Sequence, residues 1–219
     1  MKNILDSWNI NASEWINTID KQLIPSRAVT NKVIVNTILK HNPSKLLDVG
    51  CGEGWLSREL SSRGIFTVGI DATDELVKNA KTKGNQDYYK LLYEEIIGGT
   101  MIPSSPFDAV VFNFSLYEQE KTFQLLAAIK NTLAPKGKIF IQTIHPFFLI
   151  SQRLSYKSQW IHDSWKGLAG NFVDGHILYA RTFCDWIEGV SKIGLSTIEI
   201  LEPLDPTLGQ PLSLVLVLQ

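Results

Sequence analysis

The chain has 219 residues, enough for one large domain around a single core, and its 44% hydrophobic and 20% charged residues are those of an ordinary globular protein. Its formal net charge of −1 supplies no overall field for nucleic acid or an anionic membrane. No run reaches the roughly 18 apolar residues of a membrane helix. The stretch "MKNILDSWNINASEW" lacks the continuous apolar core of a signal peptide, and Cys51 and Cys184 have no metal-type spacing, so a reduced, cytoplasmic setting is expected.

Residues 1–24 read as helical or irregular, with Trp8, Ile10, Trp15, Ile16 and Ile19 as apolar members. A helix opening at Pro25 and running to about His41 has a helical period through Val29, Val33, Ile34, Ile38 and Leu39, and Pro43 stops it. Strands and helices then alternate. "KLLDV" (45–49) is a short buried strand, 55–64 a helix capped by Gly64, and "IFTVGID" (65–71) a strand. A helix over 73–84 starts at a Thr73 cap, followed by a weaker strand at 88–92 and a strong one at 107–114. An amphipathic helix over 119–133 leads to the strand 138–144. Residues 145–180 show no period and carry Trp160, Trp165 and three histidines. A helix over 181–194 and strands at 195–201 and 212–218 close the chain, the last two joined without a helix, as in an antiparallel hairpin. The pattern predicts an α/β fold: a parallel sheet with helices on both faces.

The chemistry concentrates in "LLDVGCGEGW" (46–55). Glycines between a strand and a helix let the backbone turn tightly and let a ligand approach without meeting a Cβ. The helix N-terminus behind them offers free N–H groups to an anion. Asp71 closes the second strand, where an acceptor-only carboxylate can hold both hydroxyls of a ribose. Gly50, Gly52 and Gly54 give G-x-G-x-G, and Trp55 occupies the position of the third dinucleotide glycine, a departure from the pyrophosphate pattern.

Asp48-Val49-Gly50-Cys51-Gly52-Glu53-Gly54 resembles the first motif of class I S-adenosylmethionine (SAM)-dependent methyltransferases. "GIDAT" (69–73) is similar to their second-strand acidic motif, "DAVVFNFSLYE" (108–118) to their fourth strand and its loop, and the closing hairpin to their last two strands. "YEE" (93–95) and "HP" (145–146) add a likeness to the small-molecule branch of the family. The resemblance implies a doubly wound, seven-stranded, mostly parallel sheet with an antiparallel last strand. Residues 1–24 and 145–180 would form a substrate lid on one domain spanning 1–219. SAM is the implied cofactor. Gly50 and Gly52 would approach its methionine part, Asp71 the ribose, and Ala72, Tyr93 and Glu94 the adenine, with Asp48 and Cys51 of the same motif also counted as cofactor-binding. Asn113 and Phe114 would line the methyl end, and Arg27 would pair with the carboxylate. Cys51, between two glycines, reads as a small packing residue rather than a nucleophile.

Methyl transfer from a sulfonium is an in-line displacement, so the protein contributes alignment and exclusion of water, with a base needed only where the acceptor sheds a proton. His145, directly after the fifth strand, is the candidate base; His162, His176 and Tyr117 are weaker ones. Trp8, Trp15, Trp160 and Trp165 are candidates for an apolar lid. The Asn/Asp-Pro-Pro-aromatic run of nucleic-acid amine methylators is replaced by Asn113-Phe114-Ser115-Leu116, and no metal-binding acidic cluster is evident, so the expected acceptor is a small molecule. An NAD-dependent oxidoreductase and a non-catalytic SAM-binding or partner-binding protein are the alternative readings. The acceptor's identity and the oligomeric state are not legible.

Overall fold

A computed structural model describes residues 3–219; Met1 and Lys2 of the expected lid lie outside the described residues. In chain order the elements are α1 (Ile4–Asp20), α2 (Arg27–Lys40), β1 (Lys45–Val49), α3 (Trp55–Ser61), β2 (Phe66–Asp71), α4 (Asp74–Lys83), β3 (Asp87–Lys90), α5 (Tyr93–Ile97) and β4 (Phe107–Asn113). They continue with α6 (Glu120–Lys130), β5 (Leu133–Thr143), α7 (Phe147–Ser151), β6 (Gln159–Ile161), β7 (Leu178–Ala180), α8 (Phe183–Lys192), β8 (Thr197–Leu201) and β9 (Leu214–Leu218).

Seven strands form one sheet in the order β3-β2-β1-β4-β5-β9-β8. The pairs β1–β2, β1–β4, β2–β3 and β4–β5 are parallel, and β9 runs antiparallel to both its neighbours. Successive strand residues face opposite sides, so β1 feeds two cores. Leu46 packs with Ile34, Ile38, Leu56 and Leu60 on one face, while Leu47 and Val49 pack with Leu125, Ile129 and Trp186 on the other. All of these side chains are essentially inaccessible to water. Continuous apolar runs such as "LVLVL" in β9 follow from burial on both faces.

Three local readings change. The helix expected over 119–133 ends at Lys130, and Leu133 already belongs to β5, pairing with Phe107 beside a register shift. Tertiary pairing there overrides the helical periodicity. Thr73 stands at the N-cap of α4 but its side chain makes no cap bond; its N–H donates instead to Asp71 Oδ1 at 2.8 Å. The aperiodic 145–180 segment contains α7 and a two-stranded antiparallel ribbon, β6–β7, whose partners lie far apart in sequence and leave no local period.

Candidate active site

A cavity of about 390 Å³ opens beyond the carboxyl ends of β1, β2 and β4, where the strand order departs from β1 in both directions. That size falls within the roughly 300–1,000 Å³ of small-molecule sites. Arg27, Asp48, Gly50, Cys51, Gly52, Asp71, Ala72, Tyr93, Glu94, Asn113 and Phe114 all line it. Helix positions before β1, the β1–α3 loop and the ends of β2, β3 and β4 thus converge on one space.

The glycine loop folds back across β2, with the N–H groups of Gly50 and Cys51 both donating to Ile70 O at 2.8 and 3.0 Å. Gly50 has φ +74°, and a Cβ there would run into the Ser115 side chain and approach Tyr93 Oη at 2.9 Å. Ser115 in turn donates to Val49 O at 2.8 Å and Tyr93 to Ser115 O at 3.1 Å, so the loop after β4 is locked against the glycines. Gly52 differs. It has φ +57°, and its Cβ would meet only Trp15 Nε1 at 3.7 Å, projecting into the cavity. Asp71 organises the same loop. Oδ2 accepts the Gly52 N–H at 2.9 Å and Oδ1 the Thr73 N–H, which leaves lone pairs on both oxygens. Burial raises its pKa, opposed by those two N–H bonds.

Buried charge surrounds this loop. Asp48 lies on the floor, accepting from Ser57 Oγ at 2.8 Å; burial pushes its pKa up to about 7, with the Ser57 bond opposing. Glu53 pairs through Oε2 with Arg58 at 2.6 Å, while its Oε1 is buried without a partner among the described residues. Arg27 lays its guanidinium over the Trp55 ring at 4.8 Å, and one terminal nitrogen, Nη2, has no partner among the described residues. Burial lowers its pKa to about 10, with Glu53 opposing. Asn113 Oδ1 is also unpartnered. Buried polar atoms are rarely left unbonded, so these atoms are available to a polar ligand or to water. Glu53 was not singled out by sequence, although an acid inside the glycine loop was visible. Cys51 packs with Val77, Ala80 and Tyr88, and burial drives its thiol pKa well up, as a packing residue requires.

The far wall is aromatic. Trp8 stands edge-on to Trp15 and Trp165, with centroids 5.2 and 4.8 Å away, and all three line the cavity. Trp160 does not; it is partly exposed and packs on Tyr179 at 5.2 Å. His145 also departs from expectation. Its Nε2 meets Glu202 at 2.7 Å and its Nδ1 accepts the Phe147 N–H at 2.9 Å, and it is not among the cavity-lining residues. With both nitrogens engaged in holding the chain after β5, it has no free lone pair for an acceptor. His162 is exposed and outside the lining, whereas His176 and Tyr117 are on it.

Residues 47–141 match the family model described as a methyltransferase domain. An uncharacterized methyltransferase of Schizosaccharomyces pombe is 38% identical over 111 residues, covering 49% of this chain and 42% of that protein. A ubiquinone biosynthesis O-methyltransferase of Xylella fastidiosa is 31% identical over 123 residues, covering 52% of this chain and 49% of that protein. The alignments thus span about half the length of these curated relatives. Among solved structures, a SAM-dependent methyltransferase from Mesorhizobium loti aligns with TM-score 0.64 at 18% identity, covering 84% of this chain and 95% of that one. A DhpI–SAM–HEP complex aligns with TM-score 0.68 at 17% identity over 100% of both chains. The sheet order and the helices on both faces are those of a Rossmann-like α/β fold. Residues 47–141 thus match a methyltransferase domain, and the chain shares the fold of the M. loti SAM-dependent methyltransferase. No helix among the described residues is long and apolar enough to cross a membrane.

Proposed function

We propose that this protein transfers the methyl group of SAM to a small-molecule acceptor by in-line displacement. The observation that carries the reading is the set of unused polar atoms around the glycine loop, which complements SAM group by group. The spare lone pairs of Asp71 suit the ribose diol. The unpartnered nitrogen of Arg27 suits the methionyl carboxylate, and the unpartnered oxygens of Glu53 and Asn113 suit the ammonium. Ala72, Tyr93 and Glu94 take the adenine side, and Phe114 the methyl end. Gly52 keeps clear the volume a Cβ would fill. SAM supplies an electrophilic methyl on a cationic sulfur. The buried acids Asp48, Glu53 and Asp71 favour that cation over the neutral thioether product.

We take α1 and the 145–180 segment as the substrate lid, supported by Trp8, Trp15 and Trp165 walling the cavity. The X. fastidiosa relative is named as an O-methyltransferase, which supports oxygen as the acceptor atom here. The near-neutral charge argues against nucleic acid as substrate. A reducing, cytoplasmic compartment accords with both cysteines being free. Calorimetric titration tests the reading. S-adenosylhomocysteine (SAH) is expected to bind with micromolar or better affinity and NAD not to bind; tight NAD binding with no response to SAH would overturn it.

A further inference from the structure

We infer that His176 receives the proton of the methyl acceptor, and that this acceptor is a flat, uncharged molecule presenting a hydroxyl group. The inference rests on the methyl-transfer reading above and names the acceptor side of the same cavity.

His176 is only 1% exposed, lines the cavity, and has its Nε2 buried without a partner among the described residues. Its Nδ1 faces two hydroxyls, Ser164 Oγ at 2.9 Å and Ser7 Oγ at 3.3 Å. Ser7 donates its own proton to Asp174 O at 2.7 Å and accepts from Trp165 Nε1 at 3.0 Å. Ser7 therefore has only a lone pair to offer the imidazole. An Nδ1–H suits that lone pair and can be shared with Ser164 Oγ, and in this tautomer the ring's own lone pair stands on Nε2. Burial also holds the ring neutral, with its pKa lowered to about 4.

The rings of Trp165, Tyr117 and Trp8 flank the imidazole, with centroids 5.2, 6.0 and 6.1 Å away. Aromatic walls receive a flat apolar body and penalise a charged one, which would lose its water there. A single buried acceptor atom selects a molecule with one donor group to present. Methylation makes an oxygen acceptor strongly acidic, so a hydroxyl must shed its proton, whereas a methylated amine can keep its own as an ammonium. A dedicated proton acceptor therefore points to a hydroxyl.

In the step, a lone pair of the acceptor oxygen forms the O–C bond to the methyl group. The C–S bond breaks and its electron pair stays on sulfur, leaving the neutral thioether. The hydroxyl proton passes to His176 Nε2. The imidazolium keeps its Nδ1–H on Ser164 and returns the added proton to water once the product leaves.

The test uses the full chain as wild type, H176Q and H176F. Glutamine sets an amide near the Nε2 position, able to hold a hydroxyl but not to take its proton; phenylalanine does neither. SAH titration establishes that each variant keeps its cofactor site. In SAH-saturated wild type labelled with 15N-histidine, the His176 Nε2 signal is expected to be that of an unprotonated nitrogen. Phenol should shift it, and aniline and benzoate should not. In single-turnover methylation of phenol, H176Q is expected to lose roughly 10²–10⁴-fold in rate with little change in phenol KM, and H176F to raise KM as well. A protonated Nε2 in the wild type, or an H176Q rate within about threefold of wild type, overturns the proton-acceptor assignment. No response to phenol, or a preference for aniline or benzoate, overturns the acceptor class. Should the variants fail to bind SAH, the wild-type resonance experiments decide on their own. Failure of the wild type to bind SAH would overturn the methyl-transfer reading instead, and this inference with it.

Discussion

Asp71 combines two tasks in one carboxylate, because its oxygens anchor the Gly52 and Thr73 N–H groups and still have lone pairs facing the cavity. Asp71→Ala removes charge-assisted bonds worth roughly 1.5–3 kcal/mol each, so SAH affinity measured by calorimetry is expected to fall at least ~10–100-fold. Gly52→Ala separates ligand space from loop geometry. No protein atom lies nearer than 3.7 Å to the added Cβ, but the positive φ disfavours alanine by roughly 1–2 kcal/mol. The variant is expected to fold with a modest loss of stability and to bind SAH at least about tenfold more weakly. Undiminished binding would mean that the cofactor does not approach Gly52. Asp48 gives a pH signature. Its folded pKa of about 7 lies above the ordinary 3.8, so the folded state holds the proton more tightly than the unfolded chain. Its contribution is therefore fully present below the ordinary value and is lost as pH rises through 7. Asp48→Asn keeps an acceptor for Ser57 and carries no charge to desolvate. Denaturation across pH 4–8 should show a flatter decline than wild type and higher stability at pH 8; an unchanged slope would contradict the buried-acid assignment.

At the scale of elements, α1 is joined to the segment around Trp165 by polar contacts as well as by the rings of Trp8 and Trp15. Its buried side chains are Ser7, Asn11, Ala12 and Thr18. Asn11 donates to Val173 O at 2.7 Å and accepts the Val173 N–H at 2.9 Å, pairing like a strand with a segment that has no ladder of its own. Glu14 accepts the Asn171 N–H at 3.0 Å, and Ser7 reaches Asp174. Opening of this unit is expected to leave the sheet undisturbed, because these bonds run between α1 side chains and a loop. Asn11→Ala is expected to speed amide exchange at Val173 and its neighbours while leaving β1 and β4 protected, and to raise acceptor KM more than it changes SAH affinity. Equal acceleration in the sheet would show that α1 and the core open together. Deleting residues 1–20 removes the same anchors along with Trp8 and Trp15. The remaining sheet should still bind SAH, with acceptor turnover lost.

The whole molecule sets its cavity at the end of a sheet covered on both faces. The strands that carry Gly50, Asp71 and Asn113 at their ends are the ones buried on both faces, so the floor of the site moves only if the sheet does. Ligand binding should then stabilise the entire fold. At a hundredfold excess over its Kd, SAH adds roughly 2.7 kcal/mol, which for a domain of this size raises Tm by roughly 5–10 °C. NAD should leave the melting curve unchanged. A shift with NAD and none with SAH in a calorimetric scan would overturn the assignment at this scale.

The elements that position the cofactor side were legible because each is written in contiguous residues. The glycines at 50, 52 and 54 and the acid at 71 declare their backbone and acceptor chemistry locally, and apolar runs mark strands covered on both faces. The resemblance added Arg27, Asn113 and Phe114, and the fold brings all of these onto one cavity. The acceptor side was not legible. His145 and His176 look alike in sequence, and only the course of the chain after β5 decides that one ring turns to Glu202 and the other into the cavity. The hydroxyls that orient His176 come from Ser7, 169 positions away, and Ser164, 12 positions away. Local pattern therefore determined the sheet, its glycine loop and its acidic partner, because backbone turns and burial leave periodic traces. Tertiary structure alone decided which imidazole lines the cavity, because that depends on hydrogen bonds between segments with no shared period.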